Sequence, residues 1–304
     1  MAAAALLIPL FVKSDVVLTI LVFSWLQGML AVSFNLIFGF TGQLSMFHAA
    51  AFGVAAYATH LFMHHLGVGY WSAALLAALL VSALSVIVGT ICFRFRLKEF
   101  YFAVVTLAFS EMARLTVLNW NSVTNGSLGI NLQEKPWLFG FKVDGTLPWY
   151  YLSLVALAVT LLVCWRLVHS WMGRCFSAIR LNDELGDALG INVFRYKLAA
   201  FVAGNVIAAV TGSLYAFYLG ALEPGFLSID QSLGIVAMVL LGGRSSVLAP
   251  VAGALLLTAL PHLIQFSAEV RSIVYGSILI LTILVMPQGI YGSVAALLRR
   301  RHAA

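Results

Sequence analysis

The chain has 304 residues, 62% of them hydrophobic and 9% charged, with 17 lysines and arginines against 11 acids for a formal net charge of +6. Soluble domains are roughly 45–50% apolar and about 25% charged, so a water-exposed globular surface is excluded and lipid is the natural solvent. The surplus positive charge gathers at the ends of apolar runs, where it reports topology rather than a nucleic-acid partner.

The N-terminal MAAAALLIPLFV is apolar but lacks a charged leading region and a cleavage pattern, so it reads as a short first span or an entry segment. Apolar runs follow at about 16–39, 44–63, 72–93, 100–118, 150–168, 197–220, 231–241, 247–265 and 271–287. A spanning helix needs about 20 mostly apolar residues, and backbone in hydrocarbon must satisfy its own hydrogen bonds. Barrel strands are shorter, alternating segments of about ten residues, so helices fit and strands do not. The predicted fold is all-α: one polytopic membrane domain over 1–304, with eight to ten membrane helices including short or discontinuous ones.

Within the first two runs, FNLIFGFTGQLSMFHAAAFGVAAY (34–57) mixes Gly39, Gly42 and Gly53 with the polar Asn35, Thr41, Gln43, Ser45 and His48. Small residues permit close helix approach. The polar atoms need partners inside a bundle, which gives two readings: interhelical hydrogen bonds, or a substrate-facing path. His64 and His65 are adjacent, which is the wrong spacing for one helix face, and read as part of an outer loop near Gly67 and Gly69. RFRLK (94–98) is basic and predicts a cytoplasmic turn. In the next run Glu111 and Arg114 stand at i, i+3 on one helix face, either as an internal ion pair or as a wall of a path. Residues 119–149, with Trp120, Trp137 and Trp149 and only Lys135 and Lys142, form the predicted external loop.

Residues 169–196 are the largest predicted cytoplasmic connection and contain RLNDELGDALGI. At 100° per residue Leu181, Leu185, Ala188 and Leu189 fall on one arc, with Asp183, Glu184 and Asp187 opposite. Gly190 stands where a helix stop is expected. The pattern fits a solvated surface helix or a docking helix for a partner; its acidic side argues against lying on anionic lipid. The 231–241 run is too short to span and ends at Gly242 and Gly243 before a second run, which reads as a discontinuous pair. Segment 240–257 and segment 34–57 are both glycine-interrupted, one in each half, and point to an internal repeat with a path between the halves.

Catalytic signatures are absent from the sequence: no lysine follows a glycine, so there is no P-loop, and neither HExxH nor GxSxG occurs. Cys92, Cys164 and Cys175 are far apart and have no metal or disulfide spacing. The chain is read as a transport protein and not an enzyme. The rival classes are an ion-coupled transporter, which would rely on Glu111 as its embedded acid, and a lipid-handling enzyme, for which no reactive cluster is found.

Several motifs in order resemble the longer permease type of the branched-chain amino-acid ABC importers. They are GFTGQLSMFHAAAFGVAAYAT (39–59), FYFAVVTLAFSEMARL (100–115), NGSLGI (125–130), MGRCFSAIRLNDELGDALGINVFRYKLAAF (172–201), GSLYAFYLGALEPGFLS (212–228), MVLLGGRSSVLAPVAGALLL (238–257) and MPQGIYG (286–292). The resemblance implies a bacterial inner-membrane permease with a cytoplasmic C-terminus, moving branched-chain or other hydrophobic amino acids inward by alternating access. Urea, short amides or another amino acid are the alternative cargo. Its implied partners are two ATPase subunits, a homologous second permease as a heterodimer, an external substrate-binding protein and membrane lipid. No cofactor is implied on this chain, with ATP and magnesium on the ATPases. It also implies that Arg180, Glu184, Asp187, Ala188, Gly190 and Ile191 couple to an ATPase. Asn35, Gln43, Ser45, His48, Glu111, Arg114, Gly242 and Gly243 are the candidates for path or helix contact. The chain departs from the family pattern at Phe47, Arg244, Ala249 and Met286.

Overall fold

The computed structural model describes residues 14–97, 99–132 and 145–264, with short pieces at 8–9, 137–138, 141–142, 276–277 and 289–292. The N-terminal segment, most of the 271–287 run and the basic C-terminus lie outside the described residues, as do Lys135 and the start of MPQGIYG.

The described chain is helical almost throughout. Its helices are α1 (Asp15–Thr41), α2 (Phe47–Leu66), α3 (Tyr70–Arg94), α4 (Glu99–Asn119), α5 (Thr146–His169), α6 (Trp171–Leu181), α7 (Asp183–Ala188), α8 (Val193–Leu219), α9 (Ile229–Gly242) and α10 (Ala249–Ile264). Five of them, α1, α3, α4, α5 and α8, are long and apolar enough to cross a membrane, and α9 and α10 are shorter apolar helices. His64 and His65 belong to the last turn of α2 rather than to a loop, because the helix runs on to the left-handed Gly67.

Two helices form the centre. α1 is buried on nearly every side from Ser24 to Ile37 and packs against α5, α8 and α10. α8 packs against α1, α2 and α3. A helix apolar all round is one that neighbours enclose. α3 and α5 are peripheral: Leu75, Leu79, Val86 and Ile87 of the one, and Val155, Val159 and Leu162 of the other, are exposed as lipid-facing side chains are.

Glycine sets the closest approaches. A Cβ on Gly212 of α8 would overlap the Phe52 carbonyl of α2. One on Gly253 of α10 would overlap the Met238 carbonyl of α9, and one on Gly242 the Ala249 carbonyl. α9 and α10 are thus the two arms of a tight hairpin, folded at Gly243 (φ +115).

The described residues of the 119–149 segment include regular elements. They form a helical turn (Asn121–Thr124), a two-residue strand Ile130–Asn131 paired with Ala221–Leu222, and the pair Trp137–Leu138 with Phe141–Lys142. Trp149 is not a loop residue: it lies in the first turn of α5, buried, with its ring 5.3 Å from Tyr218. The thiols Cys92, Cys164 and Cys175 are free and buried, packed as small apolar groups.

Candidate functional site

The elbow between α1 and α2 gathers most of the polar candidates. α1 stops at Thr41, whose hydroxyl donates back to Ile37 O (2.6 Å), and Gly42 turns left-handed (φ +77). The Gln43 N–H, which in a continuing helix would bond Gly39 O, reaches Ile37 O instead (3.3 Å). The next residues, up to Met46, are non-helical and latched on three sides. Ser45 Oγ accepts from Phe47 N (3.3 Å), Met46 N donates to Thr106 Oγ1 of α4 (3.0 Å), and Ser232 Oγ of α9 donates to Met46 O (3.3 Å).

His48, in the first turn of α2, is fully enclosed. Its Nε2 lies 2.9 Å from Ser33 Oγ of α1 and its Nδ1 3.0 Å from Asn205 Oδ1 of α8. One imidazole therefore joins three helices. Such a group must be satisfied inside hydrocarbon, and it specifies how those helices sit together. Asn35 donates to Ser246 O (3.1 Å), and its Oδ1, like Gln43 Oε1, is buried and accepts no hydrogen bond from any of the described residues. The Asn35 bond brings segment 34–57 against segment 240–257, so the two glycine-interrupted stretches do meet. Arg244 adds its guanidinium over the Phe38 ring, 5.2 Å from the centroid.

Glu111 and Arg114 form a bidentate pair on α4, with Arg114 Nε 3.0 and 2.9 Å from the two carboxylate oxygens. Each side chain is about one-third exposed, at 32% and 30%. They are remote in sequence from the elbow and share α4 with Thr106, which touches it.

Two capped helices, α6 and α7, make the connection between α5 and α8, and α8 is capped in the same way. Ser170 accepts from Met172 N (3.1 Å), Asn182 from Glu184 N (2.8 Å) and Leu185 N (3.1 Å), and Asn192 from Arg195 N (3.0 Å). Each cap satisfies backbone donors that the helix start leaves free. The stretch RLNDELGDALGI is therefore not one helix. It breaks at Asn182, and only Asp183–Ala188 forms the acidic helix. That helix ends as the glycine predicts: Gly190 is left-handed (φ +80), Gly190 N donates to Asp187 O and Ile191 N to Gly186 O, both 3.0 Å.

Two ion pairs strap α7 to the bundle. Arg96, itself left-handed (φ +48) in the α3–α4 turn, lies 2.9 Å from Asp187, and Lys197 of α8 bonds Asp183. The first is solvent-exposed and worth little. The second is different, because the Lys197 side chain is 6% exposed while Asp183 is 49% exposed. Asp183→Asn is expected to cost about 2 kcal/mol, since it strands a buried ammonium. Lys197→Met is expected to be close to neutral, because Asp183 simply returns to water. Thermal unfolding of the solubilised chain separates them, and equal losses would refute the asymmetry.

Of the residues matched to an ATPase contact, Glu184, Asp187, Ala188 and Gly190 lie on or just after α7, with Leu181, Leu185 and Leu189 exposed at 85%, 57% and 70%. Arg180 turns the other way. Its Nη1 donates to Gly39 O (2.6 Å) at the end of α1, and burial, followed by the nearby Arg244, lowers its pKa. Between α7 and the elbow opens a cavity of about 980 Å³, walled by Thr41, Gln43, Phe93, Phe100, Arg180 and Lys197 among others. Among the described residues no group of three His, Cys, Asp or Glu side chains could hold a metal ion.

Sequence reasoning missed Ser33, Asn205, Thr106 and Ser232, the partners of the elbow. Asn205 was visible as a lone amide within an apolar run.

Residues 16–283 match a family profile described as the permease component of a branched-chain amino acid transport system. The chain is 28% identical over 284 residues to the high-affinity branched-chain amino acid permease protein LivM of Escherichia coli, covering 86% of this chain and 66% of that protein. It is 24% identical to LivH of Salmonella typhimurium, covering 87% and 91%. A probable LivM of Methanocaldococcus jannaschii is 29% identical over 178 residues, covering 57% and 50%. The chain thus spans just under two thirds of the length of the LivM proteins of Escherichia coli and Salmonella typhimurium. No solved structure matches the chain.

Proposed function

The chain belongs to the branched-chain amino acid transport permease family, and from that membership we propose that it is the membrane-spanning permease of an ATP-driven importer. Its cargo is a branched-chain or other hydrophobic amino acid. It sits in the bacterial inner membrane with the Arg96 and Arg180 end, and its C-terminus, in the cytoplasm. It pairs with a homologous second permease, receives cargo from an external binding protein and is driven by two ATPase subunits. Those subunits hold the ATP and magnesium, and this chain binds no cofactor and catalyses no reaction.

The observation that carries this reading is the α6–α8 connection. On and beside an acidic helix capped at both ends, Leu181, Leu185 and Leu189 stand out of the fold. Exposed leucines beside carboxylates fit a cleft on another protein better than they fit lipid or open water. In the proposed cycle, closure of the ATPases on nucleotide shifts this connection, and the shift reorients the helices around the elbow. Delivery outside and release inside then alternate.

The test is a tagged permease solubilised from native membranes, intact and with Leu185→Glu plus Leu189→Glu. These side chains are exposed, so the change leaves the fold within about 0.5 kcal/mol. ATPase subunits are expected to co-purify with the intact chain and to be lost from the variant, with ATP-driven uptake lost alongside. Absence of any ATPase from the intact sample, with uptake that follows an ion gradient, would replace this reading with an ion-coupled transporter.

A further inference from the structure

Arg180 stands apart from its neighbours in the connection. Leu181, Leu185 and Leu189 face outward, whereas its guanidinium reaches 141 positions back along the chain to the last turn of α1. The acceptor is informative. Gly39 O has lost its regular helical donor, because the Gln43 N–H turns back to Ile37 O. The last carbonyls of any helix lack intrahelical partners and carry the negative end of its dipole. α1 has no basic residue of its own in that turn. Arg180 supplies from a distance what a lysine or arginine in the last turn normally supplies locally.

Resting on the permease reading above, we propose that Arg180 is the positioning residue that transmits movement of the connection to the membrane helices, by capping Gly39 O and so holding the α1–α2 elbow in place. Drawing the connection away removes the cap. The elbow it releases contains Gln43 and Ser45, which lie between the cap and the Met46 bonds to α4 and α9. The same turn of α1 touches the α9–α10 link: a Cβ on Gly39 would come within 3.0 Å of Arg244 O, and Asn35 holds Ser246 O. One guanidinium thus bears on both glycine-interrupted segments. The attachments of α7 within the same connection transmit less sharply. Arg96–Asp187 is exposed, and Lys197–Asp183 holds α7 to α8, which has no break near its contact.

The experiment uses the assembled complex in proteoliposomes, with substrate-binding protein added, and compares wild type, Arg180→Met and Arg180→Lys. Met keeps the aliphatic stem and loses the donor; Lys keeps a charged donor within reach of a carbonyl. Bound ATPase, ATP hydrolysis and substrate taken up per ATP are measured on each. Arg180→Met is expected to retain its ATPases and hydrolyse ATP, while uptake per ATP falls about tenfold, the loss expected for one charge-assisted hydrogen bond. Arg180→Lys is expected to recover much of that ratio. An unchanged ratio in Arg180→Met overturns the proposal. So does loss of ATPase subunits from Arg180→Met to the extent seen with the leucine variant, which would make Arg180 a docking residue. The wild-type arm alone tests the permease reading, since ATP-driven uptake there does not depend on what Arg180 does.

Discussion

Replacing Gly212 by leucine is expected to abolish the accumulation of folded chain in the membrane, and alanine at the same position is expected to lower it. The glycine lies on α8 where the backbone of α2 crosses, and a Cβ there would meet Phe52 O, Phe52 C and Phe52 Cα. A clash with a side chain is relieved by a rotamer change; a clash with backbone is relieved only by moving a helix. Overpacking typically costs about 1–3 kcal/mol, and displacing α2 from α8 disturbs His48, Asn205 and the Thr59–Ser213 hydroxyl pair together, so leucine is expected at or above the top of that range. Gly190→Ala is the control. Nothing lies within 4 Å of its added Cβ, so only the left-handed backbone is strained, at about 1–2 kcal/mol. Size-exclusion profiles of the solubilised variants give the answer. A monodisperse Gly212→Leu peak at wild-type yield would show that the two helices are not in backbone contact.

The second large effect is expected at Glu111 and Arg114. A lone arginine at the centre of a span costs about 2.5–3.5 kcal/mol on insertion scales, and less toward the end of a span, where Arg114 lies in α4. Here the carboxylate neutralises it through two hydrogen bonds. Glu111→Leu alone is therefore expected to lower stability by about 2 kcal/mol, allowing for the one-third exposure of Arg114. Glu111→Leu with Arg114→Leu is expected to fold as well as wild type or better, as buried pairs replaced by apolar residues often do. The double variant also divides the two readings of this pair. Full uptake by the double variant makes the pair an internal brace, and loss of uptake in a well-folded double variant makes it part of the path.

The membrane helices were legible because hydrocarbon imposes length and apolarity, and runs such as 100–118 and 150–168 correspond to α4 and α5 within a few residues. The i, i+3 spacing likewise foretold the Glu111–Arg114 contact, which is local to one helix. The break at Asn182 was hidden by a different cause. A 100° wheel drawn through Leu181 and Leu185 sees an arc and cannot see a cap in its middle, although Asn182 followed by Asp183 and Glu184 is the residue pattern of a helix start. Contacts that depend on tertiary placement were beyond reach. His48 meets Ser33 and Asn205 at separations of 15 and 157 residues, and Arg180 meets Gly39 at 141. No periodicity encodes such pairs, and the resemblance that grouped Arg180 with Glu184 and Asp187 did not foretell its bond to Gly39 O.

The glycine notches have a mechanical meaning. Two helices separated by side chains can creep past each other, because each rotamer change gives a little slack. A carbonyl seated where a Cβ would stand has none, as Phe52 has against Gly212 and Met238 against Gly253. The pairs α2–α8 and α9–α10 are therefore expected to behave as stiff levers rather than springs. A push applied at one end of such a pair reaches the other end undiminished, and the bending is left to the short non-helical elbow that joins α1 to α2.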